Sequence, residues 1–267
     1  MRLSFRFLLT LFPIVLFSCG DEVKTSENKL SVADEEAALI KNVNQYPDSL
    51  PLQEILANFY QENEQFDKAI EIMTNRAKTD SNNDKLQEAL GFLYYENDDT
   101  AQAIIHYQKA YRLVADKSYL IAMATLEAGR KNPIALQLAD EIVRIDGTGS
   151  ADKAYFVKGI FYNRSGDNTL ALRNFDEAIK AGYSFTPPYL EKAQLLMQEK
   201  KYADAIVTLD KAIAVQNNFP EAYYYKAICF YNLGDRQASL KAFDMALLYD
   251  PNYKDAQDDK LKYFGKQ

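Results

Sequence analysis

The chain repeats itself every 34 residues. Six blocks of that length follow one another without a gap, and they start at Leu50, Asp84, Ser118, Asp152, Thr186 and Pro220. Within each block, two amphipathic stretches flank a turn such as residues 165–167 or 233–235. A fixed period of this length predicts one supersecondary unit per block, stacked on its neighbours so that all units share a continuous core.

Small residues recur at fixed positions of the blocks and would let paired helices approach closely. Position 8 carries Ala57, Gly91, Thr125, Gly159, Ala193 and Ala227, and position 20 carries Ala69, Ala103, Ala171, Ala205 and Ser239. The pattern resembles the tetratricopeptide repeat family over residues 50–253. The resemblance implies an all-α, right-handed α-solenoid of about six helix pairs. Position 4 departs from the Trp of that family, because it is Gln53, Gln87, Ile121, Tyr155, Tyr189 and Tyr223.

Helical capping segments are predicted at both ends of the array, over residues 31–49 and 254–267. Residues 31–45 fall in phase with the second helix of a missing earlier repeat. The third block is irregular, because its small and apolar positions, Ala135, Ala139 and Ile142, come two residues early. A short inter-helix turn is therefore expected in that block, with a loose connection over residues 147–150. The irregularity indicates either a hinge or a tolerated loop variation.

The N-terminus predicts export and lipidation. Arg2 and Arg6 precede an apolar run, residues 7–17, that is too short to span a bilayer. The following Leu16-Phe17-Ser18-Cys19 resembles a bacterial lipobox, which makes residues 1–18 a signal peptide and Cys19 the lipid-bearing residue. An ordinary secretory signal with an incidental cysteine is the alternative.

Residues 19–30 are polar and lack periodicity, so they are interpreted as a flexible tether. The acidic pair Asp21-Glu22 resembles the surface-export signals of Bacteroidetes lipoproteins, with a plain linker as the alternative. We expect an outer-membrane lipoprotein of the bacterial cell envelope. Whether it faces the periplasm or the cell surface stays open.

Charge and composition argue against several function classes. Removing residues 1–18 takes the net charge from −7 to −9, which disfavours nucleic acid as a partner. His106 is the only histidine and is expected at the surface, and Cys229 is expected to be a small buried residue. We find no metal-binding, nucleotide-binding or hydrolase motif, so neither an enzyme nor a cofactor is predicted.

Function is therefore expected on the concave face. In tetratricopeptide repeat proteins, positions 2, 5, 9 and 12 of the first helices line a groove that holds peptides or helices. Carried onto this chain, the resemblance gives the candidates Glu54, Asn58, Glu88, Phe92, Tyr95, Phe156, Asn163, Leu190, Gln194, Tyr224 and Tyr231. The alternative is that several of these side chains pack against the next repeat. Glu54 and Glu88 would repel a bound carboxylate, which argues against the carboxylate clamp of some family members.

These features together predict a membrane-anchored scaffold. Its partners would be other cell-envelope proteins or peptides, and the lipid on Cys19 would hold it to the membrane. Capture of glycans or nutrients at the cell surface is the alternative function. It is disfavoured by the absence of Trp and by the short sequence outside the array.

Overall fold

The chain is an all-helical solenoid. The computed structural model describes residues 31–265, and these form fourteen α-helices. The helices are α1 Val32–Gln45, α2 Leu50–Glu62, α3 Phe66–Thr79, α4 Asp84–Glu96, α5 Thr100–Val114, α6 Lys117–Gly129, α7 Ile134–Asp146, α8 Ala151–Ser165, α9 Asn168–Ala181, α10 Pro187–Gln198, α11 Tyr202–Val215, α12 Pro220–Asn232, α13 Arg236–Tyr249 and α14 Lys254–Phe264. None of them is long and apolar enough to cross a membrane. The signal peptide, Cys19 and the tether lie outside the described residues.

The sequence period sets the helix starts. The second helices of the repeats begin at 34-residue intervals at Val32, Phe66, Thr100, Ile134, Asn168, Tyr202 and Arg236. Helix α1 thus has the phase of a second helix, and α14, which begins 34 residues after α12, has the phase of a first helix. Between them, six helix pairs pack as α2–α3, α4–α5, α6–α7, α8–α9, α10–α11 and α12–α13.

Small residues sit where the helices of a pair cross. The five residues at position 20, from Ala69 to Ser239, are all fully buried. Gly159 in α8 lies so close to the ring of Phe175 in α9 that a Cβ atom there would be 2.5 Å from the ring. Because such a contact is far below van der Waals distance, the close approach of α8 and α9 requires glycine at this position.

The first helices form the inner side of the solenoid. Helix α6 contacts α8, α8 contacts α10, and α10 contacts α12. Among the described residues, the second helices make their substantial contacts with first helices rather than with one another. Helices that touch along the array lie closer together than those that do not, so the first helices line the concave face and the second helices the convex face.

The third block differs from its expected form. Ala135, Ala139 and Ile142 are fully buried, as their early positions predict. The expectation of a short inter-helix turn is wrong, because residues 130–133 separate α6 from α7 and other pairs have two or three such residues. Helix α7 starts in register, and its buried face instead begins in its first turn, next to Asn132, whose side chain accepts from the Ile134 amide.

A series of ion pairs between neighbouring helices shows the same two-residue displacement in α7. Lysines in the first helices, spaced by 34 residues, pair with aspartates of the preceding second helix at 2.5–2.7 Å. Three of the aspartates keep the 34-residue spacing, and the one in α7 comes two residues early. The pairs are Lys158–Asp140, Lys192–Asp176, Lys226–Asp210 and Lys260–Asp244.

The connection at Gly147–Ser150 is a tight 3-10 turn, which corrects the expectation of a loose segment. Its anchor is the carboxylate of Asp146, which accepts from the Ser150 hydroxyl at 2.5 Å and from Lys117 Nζ at 2.6 Å. These bonds hold the pKa of Asp146 below its usual value, first through Lys117 and then through Ser150. Ser150 is buried, so the turn is part of the packed array.

Candidate functional site

The concave face carries most of the residues predicted from the sequence. Glu54 and Asn58 are exposed there, and Phe156 is buried. The other candidates are partly exposed: Glu88, Phe92, Tyr95, Asn163, Leu190, Gln194, Tyr224 and Tyr231. The first helices therefore present a groove of mixed aromatic, aliphatic and polar side chains.

Phe156 is not a groove residue. Its side chain is 1% exposed and contacts Phe175 of α9. Phe185, in the connection before α10, packs edge-to-face against the same ring at a centroid distance of 5.3 Å. At this position the alternative is confirmed: the side chain packs inside the array, because the segment between α9 and α10 covers it.

Tyr224 and Tyr231 hold the last helix in place. Tyr231 stacks on Tyr263 of α14 with ring centroids 4.1 Å apart. The Tyr224 hydroxyl donates to Asp259 of α14 at 2.9 Å, and its ring packs against Tyr253 at 5.1 Å. One face of each ring is thus used for internal packing, and removing them would loosen α14 as well as alter the groove.

The acidic entrance of the groove is largely paired within the chain. Glu54 accepts from Arg76 Nη1 at 2.9 Å. Glu88 accepts from Lys85 Nζ at 2.9 Å and from the Tyr119 hydroxyl at 3.3 Å. These contacts raise the pKa of Lys85, mainly through its hydrogen bond to Glu88. A cationic partner would have to displace existing partners at this end of the array.

The middle of the groove holds a carboxylate that sequence reasoning missed. Glu191 in α10 is 6% exposed. Burial raises its pKa to about 6, while Arg164 and Asn163 of α8 oppose that rise. Arg164 is the cation whose charge acts on Glu191, and the side chain of Asn163 hydrogen-bonds to it. The sequence did contain an indication of this residue. Glu191 is a charged residue between Leu190 and Ala193, at a helical position that is expected to be buried.

Two tyrosines complete what we call the central cluster, which consists of Tyr95, Asn163, Arg164, Glu191 and Tyr225. Burial raises the pKa of both tyrosines to about 12, and the charge of Glu191 adds to that rise in each case. The five side chains come from α4, α8, α10 and α12. The charge of Glu191 thus acts on side chains from the first helices of blocks two, four and six.

His106 and Cys229 are structural. His106 is buried, which contradicts the surface position expected for it: its Nδ1 lies 2.9 Å from Gln87 Oε1, and its ring stacks on Tyr94. Burial lowers its pKa to about 4, with Lys109 adding to the effect. The repeat pattern could not predict this contact. Its partner, Gln87, stands at position 4, where the tetratricopeptide repeat family has Trp. Cys229 is fully buried, as predicted, and burial raises its thiol pKa to about 12.

The groove offers no cluster of metal ligands within the part of the chain that the structure describes. Among residues 31–265, no three His, Cys, Asp or Glu side chains are placed to share an ion. Glu54 and Glu88 are instead bonded to side chains of their own chain, and Glu191 is buried singly.

Comparison with known proteins relates one part of the array to a family model. Residues 196–259 match the family model described as tetratricopeptide repeat. A TPR repeat-containing protein of Methanocaldococcus jannaschii is 25% identical over 213 residues, which cover 71% of this chain. The chain spans only 35% of that relative's length.

Solved structures share the fold at low identity. A tetratricopeptide repeat protein of Parabacteroides merdae has a TM-score of 0.63 and 18% identity, covering 87% of this chain and 91% of that one. A thermophilic TPR protein of Thermus thermophilus has a TM-score of 0.56 and 18% identity, covering 68% and 98%. PilW, a widely conserved type IV pilus biogenesis factor, has a TM-score of 0.54 and 17% identity, covering 78% and 97%. Residues 196–259 therefore match tetratricopeptide repeats in sequence, and the described helices share the fold of solved tetratricopeptide repeat proteins.

Proposed function

We propose that the protein is a membrane-anchored scaffold that binds other cell-envelope proteins or peptides through its concave groove. The observation that carries the proposal is the groove itself. Partly exposed aromatic, aliphatic and amide side chains lie on the first helices, of which α6, α8, α10 and α12 contact one another in turn. Tetratricopeptide repeat proteins generally mediate contacts between proteins, and a surface of this composition favours such contacts.

The membrane part of the proposal rests on Leu16-Phe17-Ser18-Cys19 and on the polar tether that follows. Replacing Cys19 with Ser removes the thiol that would carry the lipid, so the variant should leave the detergent-requiring membrane fraction. Fractionation and mass measurement check this outcome. A Cys19→Ser chain that stays in that fraction at its normal mature mass contradicts lipid anchoring.

The binding part is tested by a groove variant with a matched convex control. Tyr95→Ala with Gln194→Ala alters the concave face at two partly exposed positions. Ile105→Ala with Val207→Ala alters α5 and α11, where the two side chains are 41% and 56% exposed. Circular dichroism first establishes that both variants are folded. Truncating a central interface aromatic costs about 2 kcal/mol or more, or roughly thirtyfold in affinity.

Pull-downs from solubilised envelopes give the comparison between the two variants. The groove variant should lose partners that the convex variant retains. Full retention of every partner by the groove variant would mean that another surface does the binding.

A further inference from the structure

The turns inside the repeats lie along one edge of the solenoid, because every first helix ends there and every second helix begins there. This turn edge consists of residues 62–66, 96–100, 129–134, 164–168, 199–202 and 232–236. Contacts between repeats join neighbouring turns. The Asn97 amide donates to Asp67, near the start of α3, at 2.8 Å. The Asn168 amide, at the start of α9, donates to Glu199 at 2.9 Å. The turn edge is therefore a surface separate from the concave and convex faces.

Helix α1 also begins at the turn edge. It has the phase of a second helix, and Glu36 near its start pairs with Lys68 near the start of α3 at 2.8 Å. The chain thus enters the array at this edge, and residues 19–30 separate α1 from the signal peptide. These twelve residues reach at most about 40 Å. A lipid on Cys19 would therefore keep the turn edge near the membrane.

The charge of the turn edge changes sign along the array. In blocks one and two, the edge carries the carboxylates Glu62, Glu64, Glu96, Asp98 and Asp99. In blocks three to six, it carries the cations Arg130, Lys131, Arg164, Lys200, Lys201 and Arg236. A basic stretch on a chain with a net charge of −7 is a local feature that overall composition does not explain.

Three carboxylates lie within the basic stretch, and each is engaged inside the chain. Asp167 and Asp235 accept backbone amides at the starts of α9 and α13, both at 2.9 Å. Glu199 pairs with Lys201 at 2.8 Å. The six cations of this stretch thus outnumber its carboxylates, which favours an anionic partner.

Lys131 and Lys200 are the cations most available to such a partner. Both are exposed at the turns with φ of 61°, and no salt bridge joins either of them to another residue among 31–265. Exposed aliphatic side chains lie on the same stretch, with Ile134 46% and Leu233 52% exposed. Cations and aliphatic side chains on one edge suit a surface that is anionic outside and apolar beneath.

We propose that the turn edge of blocks three to six docks on an anionic phospholipid surface. The proposal rests on the membrane anchoring proposed above, which brings this edge to the bilayer. An anionic membrane attracts each nearby Lys or Arg, and exposed aliphatic side chains enter its headgroup region. The acidic turns of blocks one and two are repelled, so the contact is confined to the later blocks. The concave face stays accessible to a protein partner.

Vesicle co-sedimentation tests the proposal on a chain without lipid. The chain from residue 19, carrying Cys19→Ser, is mixed with vesicles of phosphatidylcholine alone or of phosphatidylcholine with phosphatidylglycerol. Binding to the anionic vesicles should be at least about tenfold tighter, and added salt should weaken it. Equal binding to the two kinds of vesicle overturns the proposal, and so does a lack of binding to both.

A charge-reversed pair of substitutions assigns the contact to the turn edge. Lys131→Glu with Lys200→Glu introduces the residue type that Glu64 already places in the same backbone conformation. Circular dichroism establishes the fold, and binding to anionic vesicles should weaken at least about tenfold. Lys180→Glu with Lys254→Glu, at exposed positions of the opposite edge, makes the same change in net charge and is the control. Equal losses in the two pairs would overturn docking by the turn edge.

Failure of this proposal and failure of the lipid anchor are distinguishable. Salt releases a chain held by charge, whereas a lipid anchor requires detergent, and fractionation of Cys19→Ser tests the anchor alone. Sedimentation velocity identifies a second copy of the chain as the occupant. A dimer that the turn-edge pair dissociates, in a chain that ignores anionic vesicles, overturns the membrane surface and assigns the edge to that dimer.

Discussion

A residue with positive φ terminates the first helix of every repeat. Gly166 and Gly234 occupy this turn position in blocks four and six. Glu64, Asp98 and Lys200 occupy the same position elsewhere, with φ between 57° and 62°. Side chains with a Cβ atom pay a steric cost in this left-handed conformation, whereas glycine does not. The turns therefore differ in strain although their geometry is shared.

A pair of substitutions at this turn position tests that difference. Lys200→Gly should stabilise the chain by about 0.5–1 kcal/mol, because relief of strain outweighs the added freedom of the unfolded state. Gly166→Ala should destabilise it by about 1 kcal/mol. Chemical denaturation measures both. Changes of the opposite sign would show that the side chain of Lys200 compensates for its backbone.

The stability of the chain should depend on the ionisation of Glu191. Its pKa is about 6 in the folded chain and near 4.5 when exposed. The folded state therefore binds the proton more tightly, and ionisation destabilises the fold by about 2 kcal/mol above pH 6. The cost is absent below pH 4.5. The groups that act on Glu191 are Asn163 and Arg164 from α8, Tyr95 from α4 and Tyr225 from α12.

Glu191→Gln removes this dependence without changing the shape of the side chain. The variant should be more stable than wild type at pH 7 by about 2 kcal/mol, and the difference should shrink towards zero near pH 4. Urea denaturation of both chains across that range gives the measurement. A variant that is less stable than wild type at pH 7 would mean that Glu191 has a stabilising partner.

At the scale of the helix, the small residues decide how closely a pair can pack. Ala205 in α11 is fully buried, whereas Ala203 in the same helix is exposed. Ala205→Leu should overpack the α10–α11 pair and cost about 1–3 kcal/mol. Ala203→Leu inserts the same side chain on the outer surface and should change the thermal unfolding temperature little. Equal effects of the two substitutions would contradict the assignment of the buried face.

The connection between α7 and α8 should resist proteolysis because Asp146 fixes it. In wild type, Ser150 and Lys117 both donate to that carboxylate. Asp146→Ala removes the acceptor, so limited proteolysis should cut residues 147–150 sooner in the variant than in wild type. Gln137→Ala, at an exposed position in the same helix, is the control. Early cleavage at residues 147–150 in wild type would contradict this prediction. It would support the loose connection that was expected from the sequence.

Helices were more predictable than the environment of single side chains. The 34-residue spacing places the second helices at their observed starts, and the early small residues of α7 are buried as expected. Burial of Phe156 depends on Phe185, which covers it from the connection between α9 and α10. His106 depends likewise on Gln87 and Tyr94 of the preceding helix. Position within a repeat cannot reveal such contacts, because they join side chains from different helices.

For the whole molecule, the solenoid separates two surfaces with different roles. The convex face consists of second helices and carries scattered exposed side chains such as Val207. The concave face consists of first helices and carries partly exposed side chains such as Tyr95 and Gln194, which are far apart along the chain. The sequence predicted the groove but not Glu191, because positions 2, 5, 9 and 12 omit the residue at position 6.

Site-specific photo-crosslinking in living cells reports which face of the solenoid touches another protein. A benzophenone side chain replaces Gln194 in the groove of one variant and Val207 on the convex face of another. We expect adducts with envelope proteins from position 194 and none from position 207. Adducts from position 207 alone would contradict this expectation and assign binding to the convex face.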